Sequence, residues 1–140
     1  MIVEIKLTDK PIQKSPPTTD GTIGATVEFC GIVRGEENGE KIVAIVYEAY
    51  AEMAKKMMRS IVERLGEKYH CHSVQIIHRI GTIPVGETAI YIRAQSMHRA
   101  ESFGLVTEFL DQLKKDVPIW KSRIIKNLNF KNNECPIHSS

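Results

Sequence analysis

Cysteine is scarce in this sequence. Cys30, Cys71 and Cys135 are odd in number and far apart, which argues against a disulfide framework and points to a reducing, cytoplasmic setting. Long apolar runs are missing as well, and no secretory h-region precedes the first strand pattern, so neither a membrane span nor secretion is expected. Charge of one sign is not in excess: the formal net charge is +2, too little by itself to suggest nucleic acid. No G-x-S-x-G, Walker or G-x-G-x-x-G pattern occurs, which removes the common nucleophile-elbow and nucleotide-binding readings. Metal ligands are poorly arranged too. In His70-Cys71-His72 adjacent residues of an extended chain face opposite ways, and Cys135 and His138 are two ligands where a structural zinc wants four. No metal and no cofactor is expected.

What remains is an ordinary globular composition, 42% hydrophobic and 26% charged over 140 residues, enough for one domain with a real core. Residues 2–7 alternate Val3, Ile5 and Leu7 with Glu4 and Lys6, the period of a half-buried strand. Residues 8–21, rich in Pro, Thr and Asp, read as a mobile loop. Segments 22–34 and 42–50 read as two strands of a hairpin around the turn signal Asn38-Gly39, with Gly24 and Gly31 marking bulges or close backbone approaches. Residues 51–68 change period: Met53, Met57, Ile61 and Leu65, flanked by Ala54, Met58 and Val62, predict an amphipathic helix. Strands at 72–81 and 88–97 enclose the turn TIPVGE. A second helix runs from Arg99 to about Lys115 on a stripe of Phe103, Val106, Leu110 and Leu113, and Pro118 stops it. From 119 the chain is extended, and 133–140 reads as a frayed tail. Strands, helix, strands, helix, with hairpins in place of crossovers, predict an α+β fold: a mostly antiparallel sheet with helices on one side.

Three places carry candidate chemistry. His98 and Arg99 stand where a strand hands over to a helix, and a helix N-terminus offers unpaired N–H groups to an anion. Arg34 ends a strand just before a polar loop. The stretch LKKDVPIWK, 113–121, opens a segment in which Lys114, Lys115, Lys121, Arg123, Lys126 and Lys131 face only Asp116. Helix phase sets Lys114 beside the predicted stripe and Lys115 on the polar side, so Lys114 is the better candidate for a partly desolvated amine. Pro118 would turn the chain and Trp120 bury its ring as an anchor, returning Lys121 toward Lys114. The bland alternative is a solvated helix end, with His78-Arg79 and the methionine cluster purely structural.

GIVRGEENGEKIVAIVYEAYAEMA (31–54), IIHRIGTIPVGE (76–87), SMHRAESF (96–103) and LKKDVPIWK (113–121) together resemble the large, catalytic subunit of molybdopterin synthase. The resemblance implies a hammerhead-like α+β fold and transfer of two sulfurs to cyclic pyranopterin monophosphate. It implies as sulfur donor the C-terminal Gly-Gly thiocarboxylate of a small ubiquitin-like partner, and a homodimer of the large subunit within a heterotetramer. Residue by residue, it places Arg34, flanked by Ile32 and Val33, together with His98 and Arg99, on the substrate. Lys114 and Lys121 become the catalytic lysines, and no protein cysteine is needed as a nucleophile.

The chain also departs from the family pattern. Arg123 stands where a glutamate is usual two residues after the WK lysine, Ser102 replaces a small apolar residue, and IIKNLNFKNNECPIHSS replaces the usual tail. Arg123 and Lys126 are candidates for the basic residue that a neighbouring subunit contributes in the family. A binding module for a phosphorylated metabolite or RNA, using the same cations, is the alternative. Only Trp120 and Phe130 interleave the basic segment, which is thin support for base stacking. A degenerate, non-catalytic member is a third reading, and intact Arg34, His98, Arg99, Lys114 and Lys121 argue against it.

Overall fold

The computed structural model describes residues 1–126; the tail 133–140 and its Cys135 and His138 lie outside them. In chain order the elements are β1 (Ile2–Thr8), β2 (Ala25–Ile32), β3 (Glu36–Glu37), β4 (Glu40–Ala49), α1 (Ala51–Tyr69), β5 (Ser73–Arg79), β6 (Gly81–Pro84), β7 (Thr88–Ser96), α2 (Arg99–Asp116) and β8 (Ile119–Lys126). The larger sheet has the order β1-β5-β7-β2, parallel only between β1 and β5. The smaller sheet is built on β4, which pairs antiparallel with β3, β6 and β8. The α+β class and the mostly antiparallel sheet follow the expectation.

Strand alternation decides how the larger sheet is covered. One face presents Val74, Ile76, Ile90, Ile92 and Ala94, which join Met58, Val62 and Leu65 of α1 and Leu105 and Phe109 of α2 in one core. Side chains such as Met58 and Phe109, with no exposed surface, are each worth about 1.5–3 kcal/mol of burial. The other face carries the intervening Gln75, Arg93 and Gln95. Residues of the 9–24 segment cover it: Arg93 Nη1 donates to Ser15 O (2.5 Å), Gln75 Nε2 to Ser15 Oγ (2.6 Å), and Gln95 exchanges hydrogen bonds with Thr18 N and O (3.0 and 2.9 Å). This segment has no regular secondary structure, so side chains of the sheet satisfy part of its backbone.

Several local expectations change. Segments 22–34 and 42–50 do not form one hairpin. Asn38 and Gly39, both at positive φ (52° and 81°), close only the small β3–β4 turn, while β2 leaves to pair with β7. Strand β6, which pairs with β4, takes up Thr82–Pro84 of the predicted TIPVGE turn, and the turn itself is confined to Val85–Gly86, closed by Glu87 N donating to Pro84 O. The buried stripe of α2 is Ser102, Leu105, Val106 and Phe109, and Phe103 is exposed. Val106 is buried and Leu110 and Leu113 pack against the core, so the stripe is rotated rather than replaced. Ser102, a polar residue, takes a core position that Phe103 does not. Its hydroxyl is satisfied by Ser96 Oγ at 2.6 Å, which removes the penalty of burying it. On α1, Met58 is core but Met53 is exposed. Gly31 does mark an irregularity, the register shift at the end of β2.

Candidate active site

Where β2 ends, the chain passes between the two sheets and lines a cleft of about 150 Å³. Ile32 ends β2 and Val33 and Arg34 follow it, Ile45 and Tyr47 come from β4, His78 from β5, Ala89 and Ile90 from β7, and Lys121 from β8. Ile45 and Tyr47, two apart on β4, share the face that packs with Val33, Ile83 and Ala89 into a second, smaller core. The cleft is thus an apolar floor with cations at its rim.

Glu37 joins those cations. Lys121 Nζ donates to Glu37 Oε2 at 3.0 Å, and Arg34 Nη2 lies 4.0 Å from Glu37 Oε1. His78 meets the Tyr47 ring edge-on, centroids 5.4 Å apart. Burial holds the His78 pKa below the usual imidazole value, so the ring is neutral near pH 7. Its Nδ1 is 2.8 Å from the Arg79 carbonyl, which assigns the proton to Nδ1 and leaves Nε2 an acceptor. Burial raises the Tyr47 phenol, Lys121 opposes that shift, and Glu37 adds to it.

Lys121 reaches this face because of a bulge. Tyr47 pairs with Lys121 while Val46 pairs with Arg123, so Ser122 is the extra residue in β8. Cross-strand partners point to the same side, and Val46 and Tyr47 point to opposite sides. Arg123 therefore shares Val46's face and does not line this chain's own cleft. Lys126 pairs with Glu40 at 2.7 Å.

The remaining candidates fall into two groups. Lys114 lies in the last turn of α2, and the chain then breaks at Val117 and Pro118 to start β8, with Tyr50 N donating to Pro118 O. Lys114 is thus at the same end of the molecule as Arg34 and Lys121. Within this chain it is exposed, as is Lys115. Measured from the four buried residues of α2, each lysine is about 130° off the core direction, on opposite sides, so helix phase does not separate them. Trp120 is not buried; it leans on exposed Tyr50, ring centroids 5.1 Å apart.

His98 and Arg99 are elsewhere. His98 is the N-cap of α2, and its backbone N–H donates to Glu101 Oε1 at 2.9 Å; both residues are exposed. Ala25 pairs with Ser96 at one end of the β2–β7 ladder, and Ile32 pairs with Thr88 at the other. His98 follows the first end and Arg34 the second, roughly 25 Å apart at the rise of a strand. The 18-residue helix α2 likewise separates Arg99 from Lys114 by more than 20 Å at about 1.5 Å per residue. One chain does not bring both groups to one small ligand.

Sequence reasoning missed Glu37, Tyr47 and His78. Glu37 sits in a loop of solvated appearance, and His78 reads as the end of a strand. Only the meeting of the two sheets gives them a common cleft. Cys71, by contrast, is inert: burial, then the Glu101 carboxylate, push its thiol up to about 11. Among the described residues no group of three or more His, Cys, Asp or Glu is placed to hold a metal ion. No helix among them is long and apolar enough to cross a membrane.

Known proteins resemble this chain in sequence and shape. The sequence model described as MoaE protein matches residues 6–116. The molybdopterin synthase catalytic subunit of Thermoplasma volcanium is 36% identical over 106 residues, 76% of this chain and 77% of that protein. The human protein of the same name is 37% identical over 114 residues, 80% of this chain and 61% of its own length. The chain spans only 34% of the length of a relative from Drosophila grimshawi. Among solved structures, molybdopterin synthase from Staphylococcus aureus superposes with a TM-score of 0.79 at 32% identity, covering 86% of this chain and 90% of that one. A chain from the complex of subunits 1 and 2 of the Helicobacter pylori molybdopterin-converting factor shares the fold, with a TM-score of 0.62 at 22% identity, covering 76% of this chain and 73% of that one.

Proposed function

The chain belongs to the MoaE protein family, and from that premise we propose that it is the catalytic subunit of a molybdopterin synthase. In this reading it is a sulfurtransferase of molybdenum cofactor biosynthesis. Sulfur passes from the C-terminal thiocarboxylate of a small ubiquitin-like subunit to cyclic pyranopterin monophosphate, forming the dithiolene. The observation that carries the reading is the cleft where Arg34 and Lys121 converge over an apolar floor, with Lys114 at the same end of the molecule. Two anionic reactants need such cations to approach each other.

Each residue takes a role suited to its position. Arg34 grips the phosphate, for which a guanidinium is well shaped. Ile32 and Val33 support the pterin, and Lys121 orients the substrate and offsets developing negative charge. Lys114 contacts the thiocarboxylate, polarises its acyl group and assists proton transfer as the carbon–sulfur bond breaks. His98 and Arg99 lie too far from this cleft within one chain, so a second copy supplies them across a homodimer interface. The inert Cys71 fits a reaction whose sulfur comes from a partner. Tyr50, Met53 and Trp120, exposed together near the start of α1, offer an apolar surface beside the lysines on which the small subunit docks. A two-subunit complex is known for the Helicobacter pylori relative of the fold.

Reconstitution tests the reading. Mixed with thiocarboxylated small subunit and cyclic pyranopterin monophosphate, the protein should form dithiolene, and Lys114→Ala should nearly abolish product while partner binding persists. A wild type that binds the pterin without turnover would be the binding module, and normal turnover by Lys114→Ala would remove the assigned catalytic role.

A further inference from the structure

The floor of the cleft contains a buried nitrogen to which no described residue donates. His78 is 5% exposed and lines the cleft among Val33, Ile45, Ala89 and Ile90. Its Nδ1 lies 2.8 Å from the Arg79 carbonyl, which can only accept, so Nδ1 carries the proton. Burial keeps the ring neutral near pH 7, and Nε2 is then a lone-pair acceptor. Among the described residues it has no hydrogen-bond partner. Two contacts fix the ring. The bond from Nδ1 turns that edge to the backbone of β5, and the Tyr47 ring meets the imidazole at a centroid distance of 5.4 Å. The edge bearing Nε2 is left to the cleft. The charged groups nearby are engaged or at the rim: Glu37 accepts from Lys121 at 3.0 Å, and the Arg34 side chain is 81% exposed.

We propose that His78 is a specificity-determining residue, whose Nε2 accepts a hydrogen bond from a ring or exocyclic N–H of the pterin. The inference rests on the cleft being the substrate site described above. A ligand that fills the cleft excludes water from Nε2, and a buried acceptor then left unpaired costs free energy. A ligand with an N–H at that point avoids the cost. One with an acceptor there sets two lone pairs against each other and is rejected. The group is neutral, so the preference concerns hydrogen-bonding pattern and not ligand charge. Arg34 and Lys121 attract any anion; His78 separates a ring with N–H donors from an anion of equal charge without them.

The test is nitrogen-15 NMR of histidine-labelled protein, titrated at pH 8 with cyclic pyranopterin monophosphate and no sulfur donor. His78 is identified by its Nδ1-protonated tautomer. Its Nε2 resonance should move upfield on saturation while Nδ1 stays protonated, and inorganic phosphate should leave it in place. The shift is read on the wild type and does not depend on the folding of a variant. His78→Asn keeps an N–H for the Arg79 carbonyl and removes the Nε2 acceptor. The pterin should bind it about three- to tenfold more weakly, the size of one neutral buried hydrogen bond. His78→Gln, whose amide oxygen reaches the Nε2 position, should recover part of that loss. In the reconstituted enzyme His78→Asn should raise KM more than it lowers kcat. An Nε2 resonance unmoved at saturation overturns the proposal, even if His78→Asn binds weakly, since His78 then only supports the floor. An Nε2 that becomes protonated overturns it too. The outcomes separate from those for sulfur transfer. If the pterin moves Nε2 yet no dithiolene forms, only the catalytic reading falls. If dithiolene forms and Nε2 stays unmoved, only the role of His78 falls. A wild type that does not bind the pterin removes both the substrate cleft and this role.

Discussion

Lys121 stands directly across the β4–β8 ladder from Tyr47, whereas Arg123 stands across from Val46, because Ser122 bulges out of β8. Unbroken alternation would have left Lys121 and Arg123 on one face. The bulge spends one residue and sends the two cations to opposite sides.

Lys121→Ala should therefore cut kcat/KM of the reconstituted enzyme by at least about tenfold, a loss of roughly 1.4 kcal/mol of transition-state stabilisation. Arg123→Ala should leave phosphate affinity within about twofold. Steady-state kinetics and phosphate titration on the two variants check this, and the reverse ranking would place Arg123 at the substrate.

The separation of Arg34 from Arg99 predicts a complementation result. Arg34→Ala and Arg99→Ala should each be nearly inactive alone. Unfolded and refolded together as an equal mixture, they should recover about a quarter of wild-type activity, since half of randomly formed two-fold dimers then carry one intact site of two. A mixture as inactive as its components would mean that the sites are not completed across subunits.

Cys71 supplies a pH-dependent expectation. With its thiol at about 11, only about one molecule in a thousand carries the thiolate at pH 8. Iodoacetamide on the native protein should label exposed Cys30 and spare Cys71, and unfolding should expose Cys71 to the reagent. The sign for stability follows: the raised native pKa favours the fold fully below the unfolded thiol value near 9. That contribution is lost as pH rises toward 11, because the unfolded chain then binds fewer protons. Denaturant melts at pH 8 and pH 10.5 should show the decline, and Cys71→Ala should make it shallower. Tyr91, pushed up to about 12 by burial and its bond to Glu28, adds to the decline, as do Tyr47, raised by burial, and Tyr69, raised by its bond to Glu108.

Two helical glycines should respond in opposite ways. A Cβ on Gly104 would lie 2.5 Å from the ring of Tyr69, which is held by a 2.6 Å hydrogen bond to Glu108. Gly104→Ala should cost about 1–3 kcal/mol through overpacking. A Cβ on Gly66 meets only the end of the flexible Met1 side chain, so Gly66→Ala should be neutral or gain up to about 1 kcal/mol from helix propensity. Urea unfolding of both variants measures the difference.

Taken by itself, the sequence determined the elements and their class. Period-two alternation marked β1, and β-branched or aromatic runs between turn signals marked β2, β4, β5 and β7. The 3.6-residue pattern marked α1 and α2, and Pro118 and Asn38-Gly39 marked where chain direction changes, all of which are local preferences of the backbone and its nearest side chains. On α2 it placed Val106, Leu110 and Leu113 toward the core but chose Phe103 over Ser102, because Ser102 is polar in chemistry and its burial depends on its bond to Ser96. It also joined 22–34 to 42–50 as a hairpin, since nothing local tells β2 to pair with β7. The tertiary structure decided which candidates meet. It set Arg34 and Lys121 around Glu37, turned Arg123 away through the Ser122 bulge, and left His98 and Arg99 at the far end of the β2–β7 ladder. These outcomes depend on strand partnership, register and sheet packing, which are non-local contacts that no window along the chain contains.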